Sequence, residues 1–364
     1  MSKTDRIYNF SAGPSMLPLS VLERAASEMT NYRGSGMSVM EMSHRSSVYI
    51  DIFQETKADL KRLLKVPDTH EILFMQGGAT LQFSAAPLNL IGKTGNADYA
   101  ITGNFSQLAT KEAEKFGRIS VACSSADKNH TYIPRQADIK ISEDASYFYY
   151  CANNTIYGTE WKYVPDTGDV PLVCDMSSNI LSVPVDVSKY GVIFAGAQKN
   201  MAPAGMAVVI IDKALAGYEL TFTPKLLSYQ VMIDSDSMHN TPPCYTIYML
   251  GLVLKWLDEQ GGIEGMEKIK AEKAKMLYDV IDDSKLFSGC AEKDSRSDMN
   301  VTFKTSSGEL DSKFVKEALA AGFDNLKGHR VAGGMRASIY NAMPYEGIRS
   351  LAEFMQKFEK RELS

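Results

Sequence analysis

The 364-residue sequence lacks the features that mark several large classes of protein. Its five cysteines are scattered and odd in number, with no Cys-x-x-Cys or Cys/His spacing, which excludes a disulfide framework and a zinc site. No apolar run approaches the roughly 20 residues of a membrane helix, and the N-terminus lacks the apolar core of a secretory signal. A formal net charge of only −5 indicates no extended basic surface that would bind nucleic acid or anionic lipid. These absences predict a cytoplasmic protein that binds no metal, nucleic acid or membrane.

Three common ligand and nucleophile motifs are also missing. The Gly-Lys-Thr run at 92–94 resembles the end of a phosphate-binding loop, but Pro87 stands where that motif needs a glycine. The Gly-Ser-Gly run at 34–36 begins like a dinucleotide fingerprint, but Val39 occupies the position of the third glycine. The serine-hydrolase pattern GxSxG does not occur. The sequence therefore lacks the usual motifs for binding a nucleoside triphosphate, for binding a nicotinamide cofactor and for acyl transfer.

From about residue 20 to 260, short apolar runs alternate with amphipathic stretches. Strands are predicted at 71–75, 97–102, 119–123, 146–151, 171–174, 192–195 and 206–211, with helices at 81–90 and 106–116. Nearly continuous apolar runs are typical of strands that are buried on both faces of a sheet. Their alternation with helices predicts an α/β domain with a mainly parallel sheet.

The pattern changes near residue 243. Two helices are predicted at 245–259 and 263–281, followed by strand, helix, strand and helix at 299–303, 314–321, 337–340 and 348–358. This order is typical of an α+β unit. The sequence thus predicts a large domain of residues 17–264 and a smaller domain of residues 265–364, which residues 1–16 join.

The run 192–200, VIFAGAQKN, is the strongest chemical signal. An apolar strand ends there in small residues and is followed by Lys199. A lysine held in a pocket between strands is partly desolvated, which lowers its pKa and makes its amine nucleophilic toward a carbonyl. On this observation alone, a solvated loop lysine remains the alternative.

A carboxylate closes an earlier apolar strand at Asp175. Ligands of open α/β sheets bind beyond the carboxyl ends of the strands. Pyridoxal phosphate needs a lysine for its C4′ atom and a carboxylate that keeps its pyridine nitrogen protonated. Lys199 and Asp175 could fill these two places, although Asp175 alone could also be a helix cap near Ser177.

The run 76–80, QGGAT, follows one predicted strand and precedes a helix. Glycines let the backbone approach a ligand closely, and a helix N-terminus offers free N–H groups to an anion. This turn suits the cofactor phosphate, although a plain strand-to-helix turn remains open.

Seven motifs in this order resemble the phosphoserine aminotransferase family, which comprises class V enzymes of fold type I that use pyridoxal phosphate. The resemblance covers essentially the whole chain. The motifs are NFSAGP at 9–14, MSHRS at 42–46, GGA at 77–79, CDMSS at 174–178, GAQKN at 196–200, HNTPP at 239–243, and GHR at 328–330 with GGMRAS at 333–338.

The resemblance implies a fold and a set of roles. The fold is that of a fold-type I transferase, whose large domain has a mainly parallel sheet of seven-stranded type. Lys199 forms the Schiff base with the cofactor, and Asp175 pairs with the pyridine nitrogen. The other implied cofactor contacts are Ala79, Thr80 and Gln198 at the phosphate, Thr155 beside O3′, Phe105 stacked on the ring, and Asn240 and Thr241 from a neighbouring subunit. A homodimer with shared active sites follows from the last two.

Two positions depart from the family pattern. Phe105 stands where tryptophan is frequent, which keeps the stacking but offers less area and no indole donor. Thr80 stands where some members have arginine, so one possible contact to the substrate anion is missing.

Five basic residues are the implied substrate contacts: His44, Arg45, His329, Arg330 and Arg336. Arginine recognises carboxylate and phosphate through paired hydrogen bonds, and both expected substrates carry an anion at each end. From the residues alone, surface salt bridging is the alternative for each.

The implied reaction transfers an amino group between L-glutamate and 3-phosphohydroxypyruvate, as in serine biosynthesis, with 4-phosphohydroxy-L-threonine in pyridoxine synthesis as a further product. The alternatives are another class V aminotransferase of small 2-oxo acids, a desulfurase, and a regulatory protein that binds the cofactor without turnover. A desulfurase needs a reactive cysteine on a mobile loop, whereas the cysteines here fall mostly in predicted strands.

Overall fold

The computed structural model describes residues 6–364, so the first five residues of the predicted 1–16 segment lie outside the description. The helices are α1 (Leu19–Glu28), α2 (Ser47–Leu63), α3 (Gly78–Leu90), α4 (Asn104–Ala113), α5 (Tyr229–Asp234), α6 (Cys244–Glu259), α7 (Gly262–Asp283), α8 (Gly308–Ala320) and α9 (Tyr345–Glu362). The strands are β1 (Tyr8–Asn9), β2 (His70–Gln76), β3 (Asn96–Ile101), β4 (Arg118–Ser124), β5 (Phe148–Cys151), β6 (Asn153–Asn154), β7 (Thr159–Glu160), β8 (Leu172–Asp175), β9 (Val192–Gly196), β10 (Met206–Asp212), β11 (Ser288–Gly289), β12 (Asn300–Lys304), β13 (Phe323–Asp324) and β14 (Met335–Ser338).

A seven-stranded sheet forms the centre of the large α/β unit. Its strand order is β2-β10-β9-β8-β5-β3-β4. Strand β10 runs antiparallel to both of its neighbours, and the other pairs are parallel. Every residue of β8 and β9 is buried, as the nearly continuous apolar runs predicted. The mainly parallel sheet inferred from the sequence is therefore confirmed.

Helices cover both faces of this sheet, and alternate residues of each strand serve the two faces. In β2, Ile72 and Phe74 pack with α1, α2 and α6, whereas Leu73 and Met75 pack with α3 and α4. Burial on both sides leaves the strand ends as the places where polar side chains can meet a ligand.

The C-terminal part has an apolar core of its own. It contains Phe10 together with residues of α7, α8, α9, β12 and β14. A three-stranded antiparallel sheet of β11, β12 and β14 lies there, and β1 pairs with β13. Helix α7 contributes Ile263 and Met266 to the large core and its later residues to the small one. We retain 17–264 and 1–16 plus 265–364 as the proposed domains, with α7 crossing their boundary.

The largest difference from the predicted elements lies before residue 70. No element was assigned to α1 or α2, although the buried residues of α2 recur at helical spacing: Tyr49, Ile52, Phe53, Thr56, Leu60 and Leu63. Other helices begin earlier than predicted. Helix α8 starts at Gly308 rather than at residue 314, because Leu310 is the only large apolar residue before Phe314. Strand β14 lies two residues before its predicted position.

In residues 6–364, no helix is both long and apolar enough to cross a membrane.

Candidate active site

The site lies where β8 and β9 end side by side. Asp175 is the last residue of β8, and Lys199 follows β9 by three residues. The two strands are parallel neighbours in register, with Asp175 opposite Phe194. Because parallel neighbours end at the same edge of a sheet, both side chains reach one cavity of about 400 Å³. Its lining residues are Ala79, Thr80, Phe83, Phe105, Cys151, Thr155, Asp175, Ser177, Ser178, Gln198 and Lys199.

The Lys199 amine is held by hydroxyl groups rather than by a carboxylate. Its Nζ donates to Thr155 Oγ1 at 2.8 Å and to Ser178 Oγ at 2.7 Å, and it lies 5.5 Å from the ring centroid of Phe105. The side chain is only 9% exposed. The solvated loop lysine that the sequence left open is therefore wrong. A buried amine without an ion-pair partner is available for reaction with a carbonyl group.

Asp175 is a buried carboxylate without a cation in ion-pair contact among the residues that the structure describes. Its Oδ1 accepts the Ser177 N–H at 2.8 Å. Burial raises the pKa of Asp175, whereas the hydrogen bond from Ser177 and the charge of Lys199 lower it. The residues after it form a turn rather than a helix, so the helix-cap alternative is wrong. A protonated ring nitrogen would supply the positive charge that this carboxylate lacks.

The opposite end of the cavity is suited to a phosphate. Gly77 precedes α3 with φ of 90°, and no side chain caps the helix, which leaves the N–H groups of its first turn free to bind an anion. Those N–H groups belong to Gly78, Ala79 and Thr80. Gln198 borders the same wall with its amide oxygen buried and unpartnered, so only its Nε2 could donate to an anion. The free N–H groups, the unneutralised carboxylate and the lysine amine together fit pyridoxal phosphate.

Gly196 keeps this phosphate end open, and we expect Gly196→Ala to weaken cofactor binding. An added Cβ would lie 2.8 Å from Gln198 Oε1 and 3.3 Å from Ala79 Cβ. Overpacking of this kind costs about 1–3 kcal/mol, or roughly 5- to 150-fold in the dissociation constant of the cofactor. Fluorescence titration of the apoenzyme with pyridoxal phosphate measures the effect.

The matched control is Gly308→Ala, whose added Cβ meets nothing within 4 Å. It should leave cofactor affinity unchanged. Equal affinity in both variants would show that Gly196 does not border the phosphate.

Arg336 brings the C-terminal part of the chain next to Thr155, one of the residues that line the cavity. It lies on β14, and its Nη1 donates to the Thr155 carbonyl at 3.2 Å, while its Nε is buried without a partner. Burial lowers the pKa of Arg336. His329 and Arg330 lie in the loop before β14, and burial, followed by the charges of Arg336 and Arg330, lowers the pKa of His329. The three basic groups therefore lie near one another at one side of the site.

Seven residues named from the sequence do not line the cavity within this single chain: His44, Arg45, Asn240, Thr241, His329, Arg330 and Arg336. The first two precede α2, and His44 Nε2 is buried without a partner. The Thr241 carbonyl accepts from Gln76 Nε2 at 2.8 Å, which places it beside the end of β2. Asn240 is half-buried next to it.

Sequence reasoning named no role for the hydroxyl of Ser178, which binds the Lys199 amine. The signal was available, because Ser178 lies in the same short run as Asp175. It also did not place the N-terminal segment at the site. The Ser15 N–H donates to the Gln198 carbonyl at 2.9 Å, and the Ser15 hydroxyl binds the Lys199 carbonyl.

Comparison with known proteins agrees with this geometry. The family model of class V aminotransferases matches residues 7–351. A phosphoserine aminotransferase of Lysinibacillus sphaericus is 49% identical over 359 residues, which cover 98% of this chain and 99% of that protein. The structure of phosphoserine aminotransferase from Bacillus circulans subsp. alkalophilus superposes with a TM-score of 0.97 at 45% identity, covering 99% of this chain and 100% of that one. A PLP-bound phosphoserine aminotransferase from Trichomonas vaginalis gives 0.93 at 42%, covering 96% and 100%. The chain belongs to the class V aminotransferases and, within them, to the phosphoserine aminotransferase family.

Proposed function

We propose that this chain transfers the amino group between L-glutamate and 3-phosphohydroxypyruvate, giving O-phospho-L-serine and 2-oxoglutarate. The observation that carries this proposal is that a buried amine held by two hydroxyls, at Lys199, and a buried carboxylate, at Asp175, lie at the ends of neighbouring parallel strands and line one cavity. The relatives that match over nearly the full length bear the name of this activity.

Pyridoxal phosphate is the cofactor, and when bound it supplies an electron sink for the bonds at the substrate Cα. Lys199 is the residue that would hold it covalently, and as a free amine Lys199 would move a proton from the substrate Cα as general base. Thr155 and Ser178 hold that amine in place through their hydroxyl groups. Asp175 keeps a proton at the ring nitrogen, and Phe105 offers a flat apolar face to the ring.

The proposed substrate contacts are cationic because each substrate is anionic at two ends. Arg336, buried against the Thr155 carbonyl with one unpartnered N–H, is placed to take the α-carboxylate. His329 and Arg330 lie on the same side of the site, and we assign them to the second anionic group of the substrate. We assign His44 and Arg45 to the site of a second subunit, together with Asn240 and Thr241, as the resemblance to the family implies, and none of these four lines the cavity of its own chain. The enzyme is therefore proposed to be a homodimer with shared sites.

The direct test of the reaction is spectroscopic. Adding L-glutamate alone should change the absorbance of the bound cofactor, and adding 3-phosphohydroxypyruvate should reverse the change. A kinetic panel should then favour this acceptor over hydroxypyruvate, which differs only by the phosphate. Equal kcat/KM for the two acceptors would favour the second candidate, a class V aminotransferase of small 2-oxo acids.

Arg45→Ala tests the phosphate contact across the dimer. Loss of one charge-assisted hydrogen bond costs about 1.5–3 kcal/mol, so KM for 3-phosphohydroxypyruvate should rise roughly 10- to 150-fold. Cofactor affinity should change little, because the phosphate of the cofactor is bound elsewhere. Arg118→Ala, which removes an exposed arginine of β4, is the control and should leave KM unchanged.

Subunit mixing tests the sharing itself. A heterodimer of an Arg45→Ala subunit and a Lys199→Ala subunit has one intact site if Arg45 acts across the interface, because both defects then fall in the other site. Activity should therefore return on mixing. Proven subunit exchange without recovered activity would assign Arg45 to its own chain.

We also propose that the enzyme serves serine biosynthesis and, through the analogous 4-phosphohydroxy-L-threonine, pyridoxine biosynthesis. A cytoplasmic location is supported by the five free cysteines, of which three are buried, since free thiols persist in a reducing compartment.

A further inference from the structure

Lys273 is a fully buried lysine on α7, far along the chain from the catalytic run. Its relative exposure is 0%, and it forms no ion pair with any residue of 6–364. Its Nζ donates instead to three backbone carbonyls, those of Tyr340 at 3.0 Å, Asn341 at 3.3 Å and Met343 at 3.1 Å. Burial lowers the pKa of Lys273 to about 7. Burying an amine without a counter-ion lowers the free energy of unfolding, so a lysine at this position needs a specific role that offsets the cost.

The three carbonyls belong to the segment 340–343, which connects β14 to α9. This segment contacts the side chain of the residue that follows the catalytic lysine. The Asn341 N–H donates to Asn200 Oδ1 at 3.1 Å, and Asn200 directly follows Lys199. Asn200 Nδ2 is also 3.3 Å from the carbonyl of Ser178, whose hydroxyl binds the Lys199 amine. One set of contacts thus leads from Lys273 through Asn341 to Asn200. Asn200 is joined to Lys199 by the peptide bond and, through Ser178, to the Lys199 amine.

A second set of contacts leaves the same segment. The Tyr340 hydroxyl donates to the Ala12 carbonyl at 2.8 Å. The next residue, Gly13, lies beside the catalytic lysine, where an added Cβ would be in van der Waals contact with Lys199 Cγ at 3.4 Å. The segment therefore fixes the backbone after Lys199 through Asn341 and the chain beside its aliphatic stem through Tyr340.

We propose that Lys273 is a positioning residue for Lys199, acting through the segment 340–343. The three N–H groups of the protonated amine donate to three carbonyls of a loop that contains no regular hydrogen-bonded ladder. Without that amine, the Tyr340 carbonyl keeps the Met343 N–H at 3.0 Å, whereas the carbonyls of Asn341 and Met343 lose this donor, and the segment moves to satisfy them. Lys199 then loses its alignment with the substrate. This inference rests on the proposed role of Lys199, and it adds a residue that touches neither substrate nor cofactor.

The test compares two lysine variants of the same helix in the holoenzyme. Lys273→Met keeps the length and apolar character of the side chain and removes the three donors. Lys270→Met is the matched control, since Lys270 lies one turn earlier, is 4% exposed and pairs with Asp298. Thermal unfolding, kcat, KM for L-glutamate, and the pH titration of the cofactor absorbance are measured for both.

Misplacement of a reacting group by about 1 Å costs up to roughly 100-fold in rate. Lys273→Met should therefore lower kcat by about 10- to 100-fold, with KM for L-glutamate little changed because the basic residues are untouched. The apparent pKa of the cofactor absorbance should also move, since it reports the surroundings of the Lys199 nitrogen. Lys270→Met should lower only the unfolding temperature. A Lys273→Met enzyme with wild-type kcat and absorbance titration, whatever its stability, overturns the proposal.

Tyr340→Phe keeps the test decisive if Lys273→Met does not fold. It leaves the buried amine and its three carbonyl contacts in place but removes the hydroxyl that ties the segment to the chain beside Lys199, through its hydrogen bond to the Ala12 carbonyl at 2.8 Å. It should reproduce the loss of kcat and the shifted titration, and a wild-type result for both would refute the proposal. Borohydride labelling of the wild-type enzyme tests the role of Lys199 separately from the positioning role of Lys273. A label on another lysine would reject the role of Lys199 itself.

Discussion

Lys199→Ala should lower turnover by more than about 1000-fold, because one amine both attaches the cofactor and moves the proton at the substrate Cα. The protein should still fold. The two hydroxyls that receive the Lys199 amine, on Thr155 and Ser178, lie 2.5 Å from each other and can remain hydrogen-bonded. Steady-state kinetics and thermal unfolding of the variant, beside Lys213→Ala at an exposed position, measure the two effects.

Chemical labelling identifies the lysine independently of activity. Reduction of the wild-type holoenzyme with borohydride, followed by peptide mapping, should place the pyridoxyl group on Lys199. A label on a different lysine, or an active Lys199→Ala enzyme, would remove Lys199 from its proposed role.

Asp175→Asn should reduce kcat by at least 10- to 150-fold, roughly the range for loss of one hydrogen bond to a charged group. An amide cannot hold the proton of the ring nitrogen as a carboxylate does, so the electron sink is weakened. The Ser177 N–H can still donate to the amide oxygen, as it does to Asp175 Oδ1 at 2.8 Å. Cofactor retention should therefore change far less than kcat, as measured by dialysis and absorbance.

Asp212→Asn is the matched control for this substitution. Asp212 also ends a strand of the central sheet, and its Oδ1 accepts the N–H two residues later, that of Ala214, at 3.0 Å. It lies outside the cavity, so its substitution should leave kcat unchanged. Near-normal turnover of Asp175→Asn would reduce Asp175 to a structural acceptor for the turn that follows β8.

The sequence predicted the central sheet well because its strands are buried on both faces. Burial of that kind requires apolar runs, and such runs are visible without a structure in β8, β9 and β10. Helix α2 was missed because its apolar stripe is interrupted by the buried polar residue Thr56, which bonds the Ile52 carbonyl at 2.8 Å. The start of α3 was placed late because Gly78 and Ala79 add little apolar signal.

Parts of the candidate site could not be predicted from local sequence. Lys199 and Asp175 were visible because each follows an apolar strand. The position of Arg336 near them depends on how β14 packs against the loop at Thr155, which is a long-range arrangement. The same holds for Lys273, which reads as an ordinary surface lysine in the sequence of α7. Only the packing of α7 against the segment 340–343 makes it a buried donor.

The pairing of β1 with β13 has a consequence for synthesis on the ribosome. Tyr8 and Asn9 pair with Phe323 and Asp324, so strand β1 can pair only after nearly the whole chain has been synthesised. Contacts between residues so distant in sequence form late and slow the search for the native state. The wall that Gly13 forms against Lys199 is therefore completed only after almost the whole chain has emerged. A nascent chain cannot bind its cofactor in the finished geometry, and premature termination anywhere before β13 should yield a product that aggregates or is degraded.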